Sequence, residues 1–318
     1  MNLKSISRAL TLAFSIAALS MTVSAQSFTV HLKNGDTQSY NNDEVERIVF
    51  SPDNYVPGGN DTFVFEEPAN TYIVSRPGEY EFKAVLPSGK EIEGISKVDW
   101  IWAQKLDPQD TDQKLVSDVR FEDGRVRFKA TGNYGNVAVA GFNGSGKIVW
   151  VWLLWMTPQP EEKEFEGGGM FLDRFMGATS ANPEDNQRTW GVVLYQWGRP
   201  VPIFGGFEEE FSEFGQTFDS ARKWTVMNPE YGLEWKVENE AATMEESIAA
   251  PTTFFTKNGN WLPERSTELW AIDKTDYDPS PAGYKIPAYT DWGESFFDNI
   301  VVMDDKTGAI YSFNGSES

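Results

Sequence analysis

Three tryptophans in six residues, Trp150, Trp152 and Trp155, constrain this chain more than any other stretch. An indole is costly to leave in water and costly to bury unless its N–H finds an acceptor. The run follows a Gly144-Ser145-Gly146 turn and precedes Pro158. A turn, an alternating aromatic run and a proline predict a strand inside a β-rich core. At a period of two, Trp150 and Trp152 share one face and Trp155 falls on the other, so the rings are divided and not gathered into one binding platform. Trp100 and Trp102, in Val98–Trp102, are expected to repeat the same-face pattern. Two tryptophan-bearing strands would then meet in a sandwich or at a seam between domains.

The length of 318 residues predicts two domains with additions. Residues 1–25 read as a secretory signal: Lys4 and Arg8 make a basic start, Leu10–Leu19 an apolar stretch, and Val23-Ser24-Ala25 a small-residue cleavage site. That stretch is too short for a membrane span, and no later segment is longer, so no span is expected once the signal is removed. The chain has no cysteine, which leaves neither disulfides nor a thiolate site. Net charge is −21, and loss of Lys4 and Arg8 with the signal makes it −23. Such a field repels phosphate backbones and argues against nucleic-acid partners. His31 is the single histidine, expected to face outward from a strand, so histidine triads and multi-histidine zinc sites are hard to build.

Residues 26–51 predict a β-hairpin segment, with Asn34-Gly35 between two extended runs as its turn. Residues 52–61 are a linker rich in turn formers. From 62 to 157 about seven short strands alternate with turns, at 71–74, 80–86, 98–102, 116–121, 125–128, 137–142 and 148–155. This spacing predicts an immunoglobulin-like β-sandwich, without the cysteine pair of antibody domains. From 158 to 318 strand signals weaken while Gly, Trp, Tyr and Phe remain dense. A loop-rich α+β region packed by its aromatics is expected there, with Glu240–Ala250 as the clearest helix. The fold class is therefore mainly β with an α+β C-terminal part.

Five ordered words carry a resemblance. They are Ala69–Phe82, Asn136–Trp155, Met170–Ala178, Leu194–Phe204 and Asp276–Pro287. Together they resemble the fimbrillin-like surface proteins of Bacteroidetes, and the later words resemble the Fibrobacter succinogenes major paralogous domain. The start of the mature chain is similar to that of many such proteins. The resemblance implies surface exposure, adhesion or fimbria-type assembly, and a C-type-lectin-like fold for 158–318, to which Gly283–Pro287 and Trp292 also correspond. Thr71 and Ser280 stand where the family words have cysteine, and the lipid-anchoring cysteine is missing.

Candidate chemistry is sparse. Tyr195, Gln196, Trp197 and Arg199 combine aromatic faces, an amide and a guanidinium, the ingredients of a sugar subsite; the same word also suits the core of a loop-rich region. Asp173-Arg174 reads first as a loop-organising pair and second as a ligand grip. Trp150 and Trp152 are expected to be structural. Asp107, Asp110 and Asp112, and Asp304-Asp305, offer oxygens but lack the spacing of a calcium loop. Gly167–Gly169 lacks the strand and helix that flank a phosphate cradle, and no P-loop, dinucleotide fingerprint, serine elbow or zinc motif occurs. No catalytic residue, metal or cofactor is expected. The expected protein is exported, non-enzymatic and held at the cell surface, in the periplasm or outside the cell, with a glycan or surface-protein partner. Three alternatives remain: a carbohydrate-binding module in polysaccharide scavenging, a glycan-acting enzyme with two facing carboxylates, and a structural subunit that pairs through a sheet edge or a terminal strand such as Ala309–Phe313.

Overall fold

The computed structural model describes residues 27–31, 37–41, 62–105, 114–164, 170–182, 193–204, 225–257, 261–264, 266 and 268–287. The signal, the 52–61 linker, the three aspartates at 107–112, Gly167–Gly169, Trp292, Asp304-Asp305 and Ala309–Phe313 lie outside them. The chain divides into two compact units, Met1–Asp61 and Thr62–Ser318. In the first, β1 (Ser27–His31) and β2 (Thr37–Asn41) pair antiparallel, from Ser27 opposite Asn41 to His31 opposite Thr37. Only their backbone is described, so the facing of His31 lies outside the description as well.

The second unit is mainly β. One sheet has four strands in the order β3 (Thr62–Phe65), β5 (Gly78–Lys83), β8 (Arg125–Ala130), β7 (Val116–Glu122). The other has five, β15 (Thr225–Met227), β6 (Ile95–Lys105), β9 (Gly135–Asn143), β10 (Ile148–Met156), β4 (Thr71–Val74). The outermost pairs β3/β5 and β10/β4 are parallel, and the other pairings in these two sheets are antiparallel. Tyr80, Phe82, Val126 and Phe128 of the first sheet share a core with Val137, Val139, Trp152 and Leu154 of the second. The two sheets thus pack face to face, and Phe82 meets Trp152 edge-on at 5.5 Å between ring centroids. Alternation of Tyr80 and Phe82 inward with Glu79, Glu81 and Lys83 outward is what a half-buried strand requires.

The five-stranded sheet is buried on both faces. Its second face carries Ile101, Trp102, Ala138, Ala140, Val151, Leu153 and Trp155, covered by Val193, Ile203, Phe204 and Trp235. These covering residues come from beyond 157, and β15 from the same region forms the sheet's edge. The change of texture at 158 therefore does not divide the hydrophobic core. The covering layer is short pieces: β11 (Glu162–Glu164) with β12 (Met170–Leu172), β13 (Val193–Leu194) with β14 (Ile203–Phe204), and β16 (Lys236–Glu238) with β17 (Thr253–Phe255). Its helix α1 (Met244–Ala249) lies inside the expected 240–250 span and starts at a capping box, Thr243 and Glu246 each bonding the other's backbone N–H.

Two β-bulges set the tryptophan faces. In β10 the register shifts between Ile148 and Trp150. Beyond it, Trp150, Trp152, Leu154 and Met156 face the inter-sheet core, while Val151, Leu153 and Trp155 face the second. In β6 the register shifts between Trp100 and Trp102, which corrects the same-face expectation. Ile101 is the extra residue: Trp100 packs against the inter-sheet core, whereas Ile101 and Trp102 both enter the second. An extra residue reverses the alternation beyond it, and residue types alone do not mark where it sits.

Candidate functional site

Tyr195, Gln196, Trp197 and Arg199 lie on a tight turn after β13, and the turn sends their side chains in different directions. The Arg199 N–H donates to the Gln196 carbonyl at 2.9 Å, closing the turn. Gly198 sits at φ +80°, and a Cβ there would lie 2.7 Å from Leu269 Cδ1. Both the left-handed backbone and the close approach demand glycine.

Below the turn, Arg199 is completely buried. Its Nη1 donates to Gln196 Oε1 and to the Thr253 carbonyl, each at 2.8 Å. Its Nη2 donates to the Ser247 carbonyl at 2.5 Å and the Ala250 carbonyl at 2.9 Å. Two of these four acceptors belong to the C-terminal end of α1, where a cation suits unsatisfied carbonyls. The guanidinium also lies 5.4 Å from the Phe255 ring centroid. Burial pulls its pKa down to about 9, which leaves it charged at neutral pH. Gln196 is buried too, and its Nε2 donates to the Phe255 carbonyl at 2.7 Å. The Tyr195 ring is half-buried; its hydroxyl is hydrogen-bonded with Thr71, and burial pushes its pKa well above the ordinary 10.

Trp197 alone of the four stands out, 55 % exposed. Its carbonyl accepts the Trp261 indole N–H at 2.6 Å, and its ring meets Trp270 edge-on at 5.0 Å. Trp270 is held in turn by its N–H on the Tyr277 carbonyl at 2.8 Å. Ile272, 76 % exposed, follows two residues later. Arg199 and Gln196 therefore do not line a groove with Trp197: they anchor from below a surface shelf made by Trp197 and Trp270. Nothing in the sequence marks Trp270, because its neighbours form no motif and only the tertiary fold brings it to Trp197.

Asp173 and Arg174 hold each other, with Arg174 Nε and Nη2 on the two carboxylate oxygens at 2.7 and 3.0 Å. Arg174 Nη1 donates to Thr157 Oγ1 at 3.1 Å, so the pair ties its loop to the end of β10. Both side chains are mostly buried and spend their polar atoms inside the molecule.

Trp150 donates its N–H to Asn70 Oδ1 at 3.1 Å, and Trp155 to the Ala178 carbonyl at 2.8 Å. The N–H groups of Trp152 and Trp102 are buried without an acceptor. Asn70 Nδ2 bonds the carbonyls of Asp276 and Asp278, and Thr71 Oγ1 donates to the Pro279 carbonyl. Thr71 pairs in a bridge with Pro281, so Thr71 runs beside the segment containing Ser280. Among the described residues no cluster of three or more His, Asp or Glu could hold a metal, and no helix is long and apolar enough to cross a membrane. In comparisons with known proteins, no family model, no curated protein and no solved structure matches this chain.

Proposed function

We propose that the chain is an exported, non-enzymatic cell-surface protein that adheres or assembles through glycan or protein partners. The reading includes a fimbrillin-like relationship with a Fibrobacter succinogenes major paralogous domain, an immunoglobulin-like topology for the two-sheet sandwich, and a C-type-lectin-like origin for the covering layer. Its supports are the leader-like residues 1–25, the five ordered words and the net charge of −21.

The observation that carries recognition is Trp197, an exposed indole whose backbone carbonyl is pinned by Trp261 and whose ring rests against Trp270 with the two planes 62° apart. A rigid aromatic shelf binds with little loss of conformational entropy and offers a flat face to the C–H side of a sugar ring. Glycan is therefore the favoured partner.

The test is a glycan array followed by titration of the strongest binder against Trp197→Ala and Trp270→Ala. A loss of about 1.4 kcal/mol, a tenfold weakening, is expected for Trp197→Ala, with the melting temperature almost unchanged. A glycan bound equally by wild type and Trp197→Ala would remove the shelf from the reading.

A further inference from the structure

A second recess lies apart from the Trp197 shelf, bounded by the β9–β10 turn, α1 and Tyr277, with a volume of about 510 Å³. Its apolar lining comes from Trp150, Tyr277, Met244 and Ile248. Trp150 and Tyr277 lie 6.4 Å apart between ring centroids and are tilted by 36°. Trp150 is 5 % exposed and its N–H is spent on Asn70, so it backs the recess with a narrow strip of carbon, and the open apolar surface is that of Tyr277 and Met244. The bulge at Val149 lies at the rim; bulges commonly re-aim side chains beside a site.

The polar rim is partly committed and partly open. Glu93 has no ion-pair or hydrogen-bond partner among the described residues, and neither has the Tyr277 hydroxyl. Asn143 Oδ1 accepts from Ser145 N, Ser145 Oγ and Lys147 N, which leaves the Asn143 amide nitrogen available. Across the mouth, Lys147 Nζ meets Glu245 Oε1 at 2.6 Å, a solvent-exposed pair that holds the turn to α1 and keeps two of the three ammonium donors. The rim thus presents acceptors and donors around an apolar floor, with two carboxylates against one ammonium.

We propose that this recess is a second binding site, for a neutral hexopyranoside. A pyranose has an apolar C–H face for the half-exposed Tyr277 ring and hydroxyls that both donate and accept, which matches a carboxylate, an amide nitrogen, a phenol and an ammonium. The excess negative charge of the rim, within a chain of net −21, opposes uronic acids, sialic acids and phosphorylated sugars. The volume suits one or two rings. The recess shares no side chain with the Trp197 shelf, and their one link, the Tyr277 carbonyl that holds the Trp270 N–H, is a backbone contact that none of the variants below removes, so either site can fail without the other.

Ligand-observed NMR and calorimetry on the full chain test it, with methyl hexopyranosides, their 2-amino counterparts, a glucuronide and a lysine-rich peptide as probes. Saturable millimolar binding of at least one neutral pyranoside is expected, with the glucuronide weaker. Glu245→Trp, which fills the mouth from a side chain 81 % exposed, is expected to abolish binding. Glu245→Ala, which removes the ion pair without filling the mouth, retains it; Glu93→Gln weakens it about fivefold. Trp197→Ala leaves it unchanged. The proposal is overturned if no pyranoside binds, if the peptide or glucuronide binds in preference, or if Glu245→Trp binds as wild type does.

Discussion

Arg199 shows how a residue that looks ready for a ligand can be committed to holding the fold, with only its buried Nε left without an acceptor. Its fork satisfies four acceptors, among them the last carbonyls of α1, and Gln196 is part of the same set. Replacing it with Met strands those acceptors and should cost ~3 kcal/mol or more in urea unfolding. Arg199→Lys should recover only part of the loss, because an ammonium is a point donor without the planar fork. The paired tryptophans make a sharper comparison. Trp155→Phe deletes a bond to Ala178, whereas Trp152→Phe deletes an N–H that has no acceptor. Trp155→Phe should therefore be the costlier of the two by about 1 kcal/mol in the same assay.

Lys274 extends the residue scale to pH. Its ammonium donates to the carbonyls of Ser280, Pro281 and Tyr284, and burial lowers its pKa from 10.5 to about 8, against the opposing pull of Asp278. Between those values the unfolded chain binds more protons than the folded one, so this group's contribution to stability rises as pH climbs through that window. Its buried charge opposes folding below about 8. The melting-temperature difference between wild type and Lys274→Met, followed from pH 7 to about 10, should shift in favour of wild type; a flat difference would show that burial does not govern this lysine.

At the scale of elements, the structure depends on where short segments are pinned. The α1 helix has six residues, too few to persist alone, and its capping box supplies one end while Arg199 supplies the other. Thr243→Ala should cost about 1 kcal/mol and speed amide exchange in α1 first. Gly177 has φ +96°, and a Cβ there would lie 2.9 Å from the Val193 backbone nitrogen. Gly177→Ala should cost ~2 kcal/mol or more, and trimming Val193 to Ala should not restore it, because the backbone obstacle stays. The elements differ in how plainly the sequence marks them, for a physical reason. The seven strands between 71 and 156 announce themselves by alternation and turn residues. The three-residue strands β15, β16 and β17 are too short to carry a period. The β6 bulge leaves no mark in residue type.

At the scale of the whole second unit, the two faces of one sheet explain why the sandwich and the loop-rich part belong together. Trp102, Leu153 and Trp155 point away from the inter-sheet core and, among the described residues, are covered by Val193, Ile203, Phe204 and Trp235 from beyond 157. A fragment of residues 62–157 should expose that face, bind a hydrophobic dye and aggregate, while 62–318 should unfold in one cooperative transition. A soluble, cooperatively melting 62–157 fragment would contradict the shared core. The five words that carry the resemblance also converge here. Asn70 meets Trp150 and Asp276–Asp278, Thr71 meets Pro279 and Tyr195, Asn136 bonds Gly177, and Trp155 bonds Ala178. Words far apart in the chain are thus one clasp around β4 and β10.

The β-rich class, the main strands of the sandwich, the position of α1 and the division of the β10 tryptophans between faces are all legible in the chain before it folds. Each of these follows from local periodicity, turn chemistry or capping, which need only neighbours along the chain. Other features arise only on folding: Trp100 and Trp102 part at a bulge, Arg199 and Gln196 turn inward while Trp197 turns outward, and Trp270 and the recess at Tyr277 come to the surface. These depend on contacts between residues tens to hundreds of positions apart, where burial and hydrogen-bond satisfaction outweigh local preference. The tryptophan run marks the sheet on which both cores are built, and among the described tryptophans Trp197 is the one that those cores leave mostly exposed.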